Sequence, residues 1–332
     1  FQLSIVFFAV GMVFAGRWQD KAGPKIVGIT GGLILGAGFL LASVVGNNLW
    51  GLYVAYGVLG GLGVGFAYVT PIATCVKWFP DMRGFITGLA VLGFGAGSMI
   101  GAPVGTTLIA RMGVLGTFAV FGVVFGILTA LAGAMLRTPP AGYRPAGWSP
   151  PAPAAGKPVA TKHDYGPGEM VKTPQFWLLW FIYLFGAGVG LMAISQAVPM
   201  GVELAKVTPA LAAGALGTMA IFNGLGRPAF GAISDKIGRS NATMLAFGVY
   251  IVALLGVLRT ADTLATYTIG ISMVGFAYGG YLALMPSYTA DYFGTKSLGI
   301  NYGWVFSAWG AAGILGAYIG AAVRSATGTW TN

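Results

Sequence analysis

One arginine stands inside an otherwise neutral apolar stretch. From Pro209 to Ile233 every residue except Arg227 is apolar, small or uncharged, and Ser234 opens a short charged turn. As a helix, the stretch places Arg227 about two turns from water. A charged side chain in such a span costs roughly 3 kcal/mol, so it is expected to face a protein interior or a wet cavity and to hold a partner there. No acidic residue falls in any apolar span to serve as that partner. A guanidinium so placed can grip a carboxylate through two parallel hydrogen bonds. Asn223 lies four residues earlier, on the same helix face, where it can orient the arginine or donate to a substrate hydroxyl. Tyr278 sits mid-span beside Gly279 and Gly280, and Phe306 and Trp309 are three apart on one face. With Tyr68 and Leu92 they are candidate walls around a small apolar tail. The plainer alternatives are an arginine snorkelling to the interface, a helix-packing amide, and aromatic rings that face lipid or pack between helices.

Enzymatic chemistry has little to work with. The single cysteine, Cys75, allows no intrachain disulfide and no cysteine metal cluster. The single histidine, His163, lies in a polar stretch, and no Ser/His/Asp set or carboxylate pair can be assembled inside the spans. No metal and no cofactor are expected.

The elements that must position these residues are membrane helices. The 332 residues are 56% hydrophobic and 8% charged, with 56 glycines, a composition suited to an all-α polytopic membrane protein in a lipid bilayer. Ten apolar runs of spanning length are read at 1–19, 26–46, 49–74, 84–109, 115–136, 175–200, 209–232, 241–259, 264–290 and 298–323. Short alternating segments of a β-barrel are not seen. The net charge of +10 suggests a nucleic-acid partner only until its placement is read. When the loops alternate sides, Arg17, Lys21, Lys25, Lys77, Arg83, Arg137 and most other cations fall on one side, against Arg111, Lys206, Arg259 and Arg324 on the other. That is the positive-inside pattern, and no nucleic-acid partner is expected.

The chain repeats itself. Gly16, Asp20, Lys21 and Gly23 recur as Gly231, Asp235, Lys236 and Gly238, at an offset of 215 residues. Gly65-Phe66-Ala67-Tyr68 recurs as Gly275-Phe276-Ala277-Tyr278, and Gly95-Ala96 with Ile100-Gly101-Ala102 recurs as Gly310-Ala311 with Leu315-Gly316-Ala317. Two similar helix bundles are expected, at 1–137 and 175–332, with a Pro- and Ala-rich cytoplasmic linker at 138–174. Parallel halves of this kind place a substrate near the midplane. Arg227 aligns with Met12, so charge recognition is expected from the second half and an apolar wall from the first. The chain begins in an apolar run without a methionine and shows five spans per half. Loop placement predicts a sixth in each, the first helix of half one and the last of half two, for twelve in all.

The paired turns resemble the signature loop of the major facilitator superfamily, Gly-x-x-x-Asp-[Arg/Lys]-x-Gly. Gly16, Asp20, Lys21, Gly23 and Lys25 fit the first copy, and Gly231, Asp235, Lys236, Gly238 and Arg239 the second. Within that superfamily the sequence is similar to the oxalate:formate antiporter and monocarboxylate transporter group, most closely to bacterial lactate-type carriers. Lys172-Thr-Pro-Gln-Phe-Trp177, Asn223-Gly-Leu-Gly-Arg227-Pro and Asn301-Tyr-Gly-x-x-Phe-x-Ala308 carry that similarity. The resemblance implies two pseudo-symmetric bundles in a bacterial inner membrane, active as a monomer. It implies alternating-access transport of a small monocarboxylate anion, with a proton or in exchange for a second carboxylate. Arg227 would bind the carboxylate, and Asp20, Lys21, Asp235, Lys236 and Arg239 would act as gates. Two departures bear on substrate. Oxalate carriers are expected to have a lysine at Trp309, and mammalian-type monocarboxylate carriers an aspartate at Asn223. A non-transporting receptor and a passive anion channel are the other classes to test.

Overall fold

The structure is a computed structural model that describes residues 2–140, 142–148 and 163–328. Part of the expected linker, residue 141 and residues 149–162, lies outside the described residues. The described chain is helical: α1 Gln2–Ala22, α2 Pro24–Val45, α3 Leu49–Trp78, α4 Arg83–Met135, α5 Pro174–Leu204, α6 Pro209–Ile237, α7 Arg239–Thr260, α8 Leu264–Phe293 and α9 Leu298–Thr327. A single helical turn, Pro167–Met170, precedes α5. Prolines sit at the first position of α2 and α6, where a missing N–H costs nothing. Thr208 caps α6 through Leu211 N.

Among the described residues, eight helices are long and apolar enough to cross a membrane, against the ten runs read from the sequence. α1 is not among the eight; its last turns carry Arg17, Asp20 and Lys21. The expected runs 84–109 and 115–136 are joined in α4, which is broken at Gly113 by a φ of 73°. That conformation is open to glycine and strained for other residues.

Large apolar side chains face outward on most helices, including Phe14, Val44, Met135, Leu178 and Leu255. In water this would be a liability; against lipid it is the expected surface. The backbone polar groups meanwhile are satisfied within each helix. Where helices touch, polar side chains bond to backbone carbonyls. Gln19 Nε2 donates to Thr70 O at 3.1 Å, tying α1 to α3. Tyr250 OH donates to Gly186 O at 2.8 Å, tying α7 to α5, and Tyr267 OH donates to Ala197 O, tying α8 to α5.

The helices group into two compact units. The first holds the chain to Arg83, Gly101–Trp180 and Met285–Gly310; the second holds Gly84–Ile100, Phe181–Leu284 and the chain from Ala311. Each unit combines most of one sequence repeat with a helical piece of the other. In the first, α1 packs on the start of α9, and a Cβ on Gly16 would overlap the Gly299 backbone. In the second, α6 packs on the start of α4, and a Cβ on Gly231 would overlap the Gly84 backbone. The two crossings are the same crossing in the repeat, since both pairs are related by the offset of 215. One turn further along, Gly303 lies against Met12 O, and Gly88 against Arg227 O.

Candidate functional site

The second unit holds the arginine. α6 buries Arg227, 3% exposed, and Asn223, 7% exposed, on one face. Among the described residues Arg227 is the only buried charged side chain. Its Nη2 donates to Asn223 Oδ1 at 2.9 Å, and its Nη1 donates to the backbone carbonyl of Val91 in α4. Asn223 in turn donates from Nδ2 to Gly275 O of α8 at 3.3 Å. The amide is thus fixed at both ends, its oxygen toward the guanidinium and its nitrogen toward α8. Gly279 of α8 lies against the carbonyl of Asn223 and the aliphatic stem of Arg227.

The guanidinium has five donors, and the two contacts above use two of them. Its Nε is buried and makes no hydrogen bond, and no carboxylate bridges the guanidinium, among the described residues. A buried cation held by neutral oxygens, with donors to spare, is chemically able to accept an anion. Leu92, one residue past the Val91 carbonyl, brings its Cδ1 to 3.2 Å of where a Cβ on Gly224 would stand, so an aliphatic wall lies next to the arginine helix. Tyr278 is buried on α8, three residues past Gly275, and its ring packs on Gly190 of α5.

The first unit holds the other aromatic residues. Phe306 and Trp309 of α9 stack with ring centroids 5.0 Å apart. Tyr68 of α3 meets Phe306 at 5.5 Å. Phe8 of α1 stands at the centre, at 5.2 Å from Tyr68, 5.0 Å from Phe306 and 5.3 Å from Trp309. The sequence reading missed Phe8, although the repeat offset maps it onto Asn223. It missed the Val91 carbonyl too, and a backbone acceptor leaves no trace in residue types. The offset maps Val91 onto Phe306. The repeat therefore puts a polar group, Asn223, Arg227 and a backbone oxygen, at positions where its other copy has Phe8, Met12 and Phe306.

The two Asp-Lys turns become helix caps. Asp20 accepts from Gly299 N at 3.2 Å and Ile300 N at 3.0 Å, amides in the first turn of α9, and pairs with Lys77 at 3.5 Å. Asp235 accepts from Gly84 N at 3.0 Å and Phe85 N at 2.9 Å, amides in the first turn of α4, and pairs with Arg239 Nη1 at 2.6 Å. Each carboxylate meets unpaired amides at the positive end of a helix dipole. The capped pairs are again related by 215 residues. Burial raises the Asp20 carboxyl above its ordinary 3.8, against the pull of the Ile300 amide and Lys77. Lys21 and Lys236, also expected as gates, are exposed.

Comparison with known proteins places this arrangement. Residues 2–317 match the Major Facilitator Superfamily. The oxalate:formate antiporter of Oxalobacter formigenes is 33% identical over 98% of this chain and 75% of its own length. Monocarboxylate transporter 12 of Xenopus laevis is 27% identical over 84% of this chain and 63% of its own. Among solved structures, a human organic anion transporter superposes with a TM-score of 0.71 at 15% identity, over 98% of this chain and 77% of that one.

Proposed function

The chain belongs to the major facilitator superfamily and is a membrane transporter, not an enzyme; from that premise we propose that it carries small monocarboxylates of the lactate type by alternating access, with a proton. The observation that carries the reading is the buried Arg227 guanidinium with its unbonded Nε and, among the described residues, no acidic partner. A single carboxylate satisfies it through a two-bonded grip, with Asn223 holding the guanidinium plane. Within the same unit, Leu92 beside Gly224 supplies an aliphatic surface suited to a short alkyl tail. The carboxylate caps at Asp20 and Asp235 are two matched clamps that a rocking cycle would open and close. The bacterial relative supports a bacterial inner membrane; the positive-inside pattern supports cation-rich loops and a linker in the cytoplasm, and the reading takes the monomer as the working unit.

Exchange of one carboxylate for another is the second reading, and a specific observation favours it. All eight acidic residues lie outside the helices or in their last turn: Asp20, Asp81, Asp164, Glu169, Glu203, Asp235, Asp262 and Asp291. None stands mid-span to carry a proton, and the Oxalobacter relative is named as an antiporter. Uptake of labelled lactate into proteoliposomes tests both readings. Uptake driven by an imposed pH gradient across empty vesicles supports symport. Uptake that needs internal formate or lactate supports exchange. Binding without uptake in either arm would leave a receptor, and non-saturable flux without trans-stimulation would leave a channel.

A further inference from the structure

Away from the arginine, the first unit carries an open cleft of about 400 Å³, on the side that the distribution of lysine and arginine assigns to the cytoplasm. Lys77 and Arg83 line it from the α3–α4 turn, Arg144 with Tyr143 and Trp148 from the stretch after α4, and Lys296 from the α8–α9 turn. Among the described residues, no acidic side chain lines it. Two of the cations are already balanced, Lys77 by Asp20 and Arg83 by Asp291 at 2.7 Å. Arg144 and Lys296 are exposed and have no ion-pair partner among the described residues, and the Nε of Arg83 is buried without a hydrogen bond. The cleft therefore holds an excess of about two positive charges and a spare buried N–H donor, with the hydroxyls of Thr138 and Thr295 beside them.

The cleft is built from three separate stretches of chain, and each is pinned. Trp78 Nε1 donates to Arg137 O at 2.7 Å, and its ring meets that of Tyr143 at 4.8 Å. Asp164 accepts from the backbone of Thr295 at 3.0 Å and of Lys296 at 3.1 Å, so the turn carrying Lys296 is held by the end of the linker. A general excess of cytoplasmic cations accounts for a basic surface. It does not account for cations converging on a concave site with aromatic walls. Two uncompensated cations, hydroxyl donors and amphipathic rings at the membrane edge suit a phosphate group better than a single carboxylate.

We propose that this cleft binds the phosphate of an anionic ligand, carried by a phospholipid headgroup or by a soluble phosphate compound. The test uses the full chain in neutral detergent, with the thermal unfolding midpoint followed against four probes: short-chain phosphatidylglycerol, short-chain phosphatidylcholine, glycerol phosphate and inorganic phosphate. The anionic probes should raise the midpoint in a saturable way, and phosphatidylcholine, with no net charge, should not. Arg144→Gln with Lys296→Gln should weaken the effect roughly 30-fold at low ionic strength. Both side chains are exposed, so the fold should survive. Lys25→Gln with Lys172→Gln, which removes two exposed cations outside the cleft, should leave the effect unchanged. A shift with phosphatidylglycerol alone identifies a lipid as the source; a shift with glycerol phosphate or inorganic phosphate identifies a soluble one. No saturable shift with any anionic probe, or an equal loss in the cleft and control variants, would overturn the proposal.

Discussion

At the scale of single residues, the proposed recognition turns on how Arg227 uses its donors. Asn223 and the Val91 carbonyl take one each and fix the plane of the guanidinium. A lysine at 227 keeps the charge and loses the fork. Arg227→Lys is therefore expected to cut the kcat/KM for lactate uptake by well over tenfold, a loss of more than about 1.4 kcal/mol. Near-normal uptake by that variant would refute the two-bonded grip. Asn223→Ala removes the orienting oxygen but not the charge, and should raise KM by roughly fivefold, about 1 kcal/mol for a lost hydrogen bond. Binding of labelled lactate to the two purified variants checks both expectations. Much of this group was legible in advance. A charged residue in an apolar run is conspicuous, and a four-residue spacing puts two side chains on one face. The Val91 partner was not legible, because any residue type can offer a carbonyl. Phe8 was legible through the repeat and was overlooked, because a phenylalanine in an apolar helix carries no signal of its own. Tyr278 stood out by its glycine neighbours, but the glycine its ring packs on is Gly190, on another helix.

At the scale of elements, the governing contacts are two crossings of one design. A glycine on α1 or α6 lets the start of α9 or α4 approach backbone to backbone, and an aspartate four residues on caps the approaching helix. The sequence announced the Gly-x-x-x-Asp spacing twice, but the capped amides are backbone groups far along the chain. Only the offset of 215 could have linked them. Gly16→Ala and Gly231→Ala each push a methyl group into backbone, and each should lower stability by about 1–3 kcal/mol, read as a lower unfolding midpoint in detergent. Asp20→Ala removes a cap and should cost about 1–2 kcal/mol. Asp20→Asn should cost less, since it keeps one acceptor and drops a charge that burial penalises. The pH dependence follows from the sign of the shift. A carboxyl raised above its unfolded value binds its proton more tightly in the fold. Its contribution to stability is full below pH 3.8 and fades as pH rises through the raised value. The wild type should thus lose stability relative to Asp20→Asn as pH rises through that window, and the difference between the two should then stay constant. Unfolding midpoints measured in parallel across the acid range check this.

At the scale of the whole molecule, the two copies of the repeat carry different groups, and on the proposed reading that difference orders the substrates. The repeat gives one copy Asn223 and Arg227 and the other Phe8 and Met12, so matched scaffolds carry one cationic group and one apolar group. One buried cation neutralises one carboxylate. A second carboxylate would be left unpaired, at a cost of several kcal/mol. Lactate and similar short acids should therefore be preferred, with oxalate far behind, although the Oxalobacter relative is named for oxalate and formate. Trp309 is the residue to change. It is buried against Phe8 and Phe306, and the resemblance places a lysine there in oxalate carriers. Trp309→Lys adds a second cation and should narrow the preference for lactate, while Trp309→Phe, which keeps an apolar ring, should preserve it. Competition between labelled lactate and unlabelled oxalate for uptake at neutral pH measures the ordering directly. If oxalate competes as strongly as lactate in the wild type, a second cationic group completes the site and the single-cation reading of Arg227 fails. If it competes only after Trp309→Lys, the count of buried cations sets the count of carboxylates the carrier accepts.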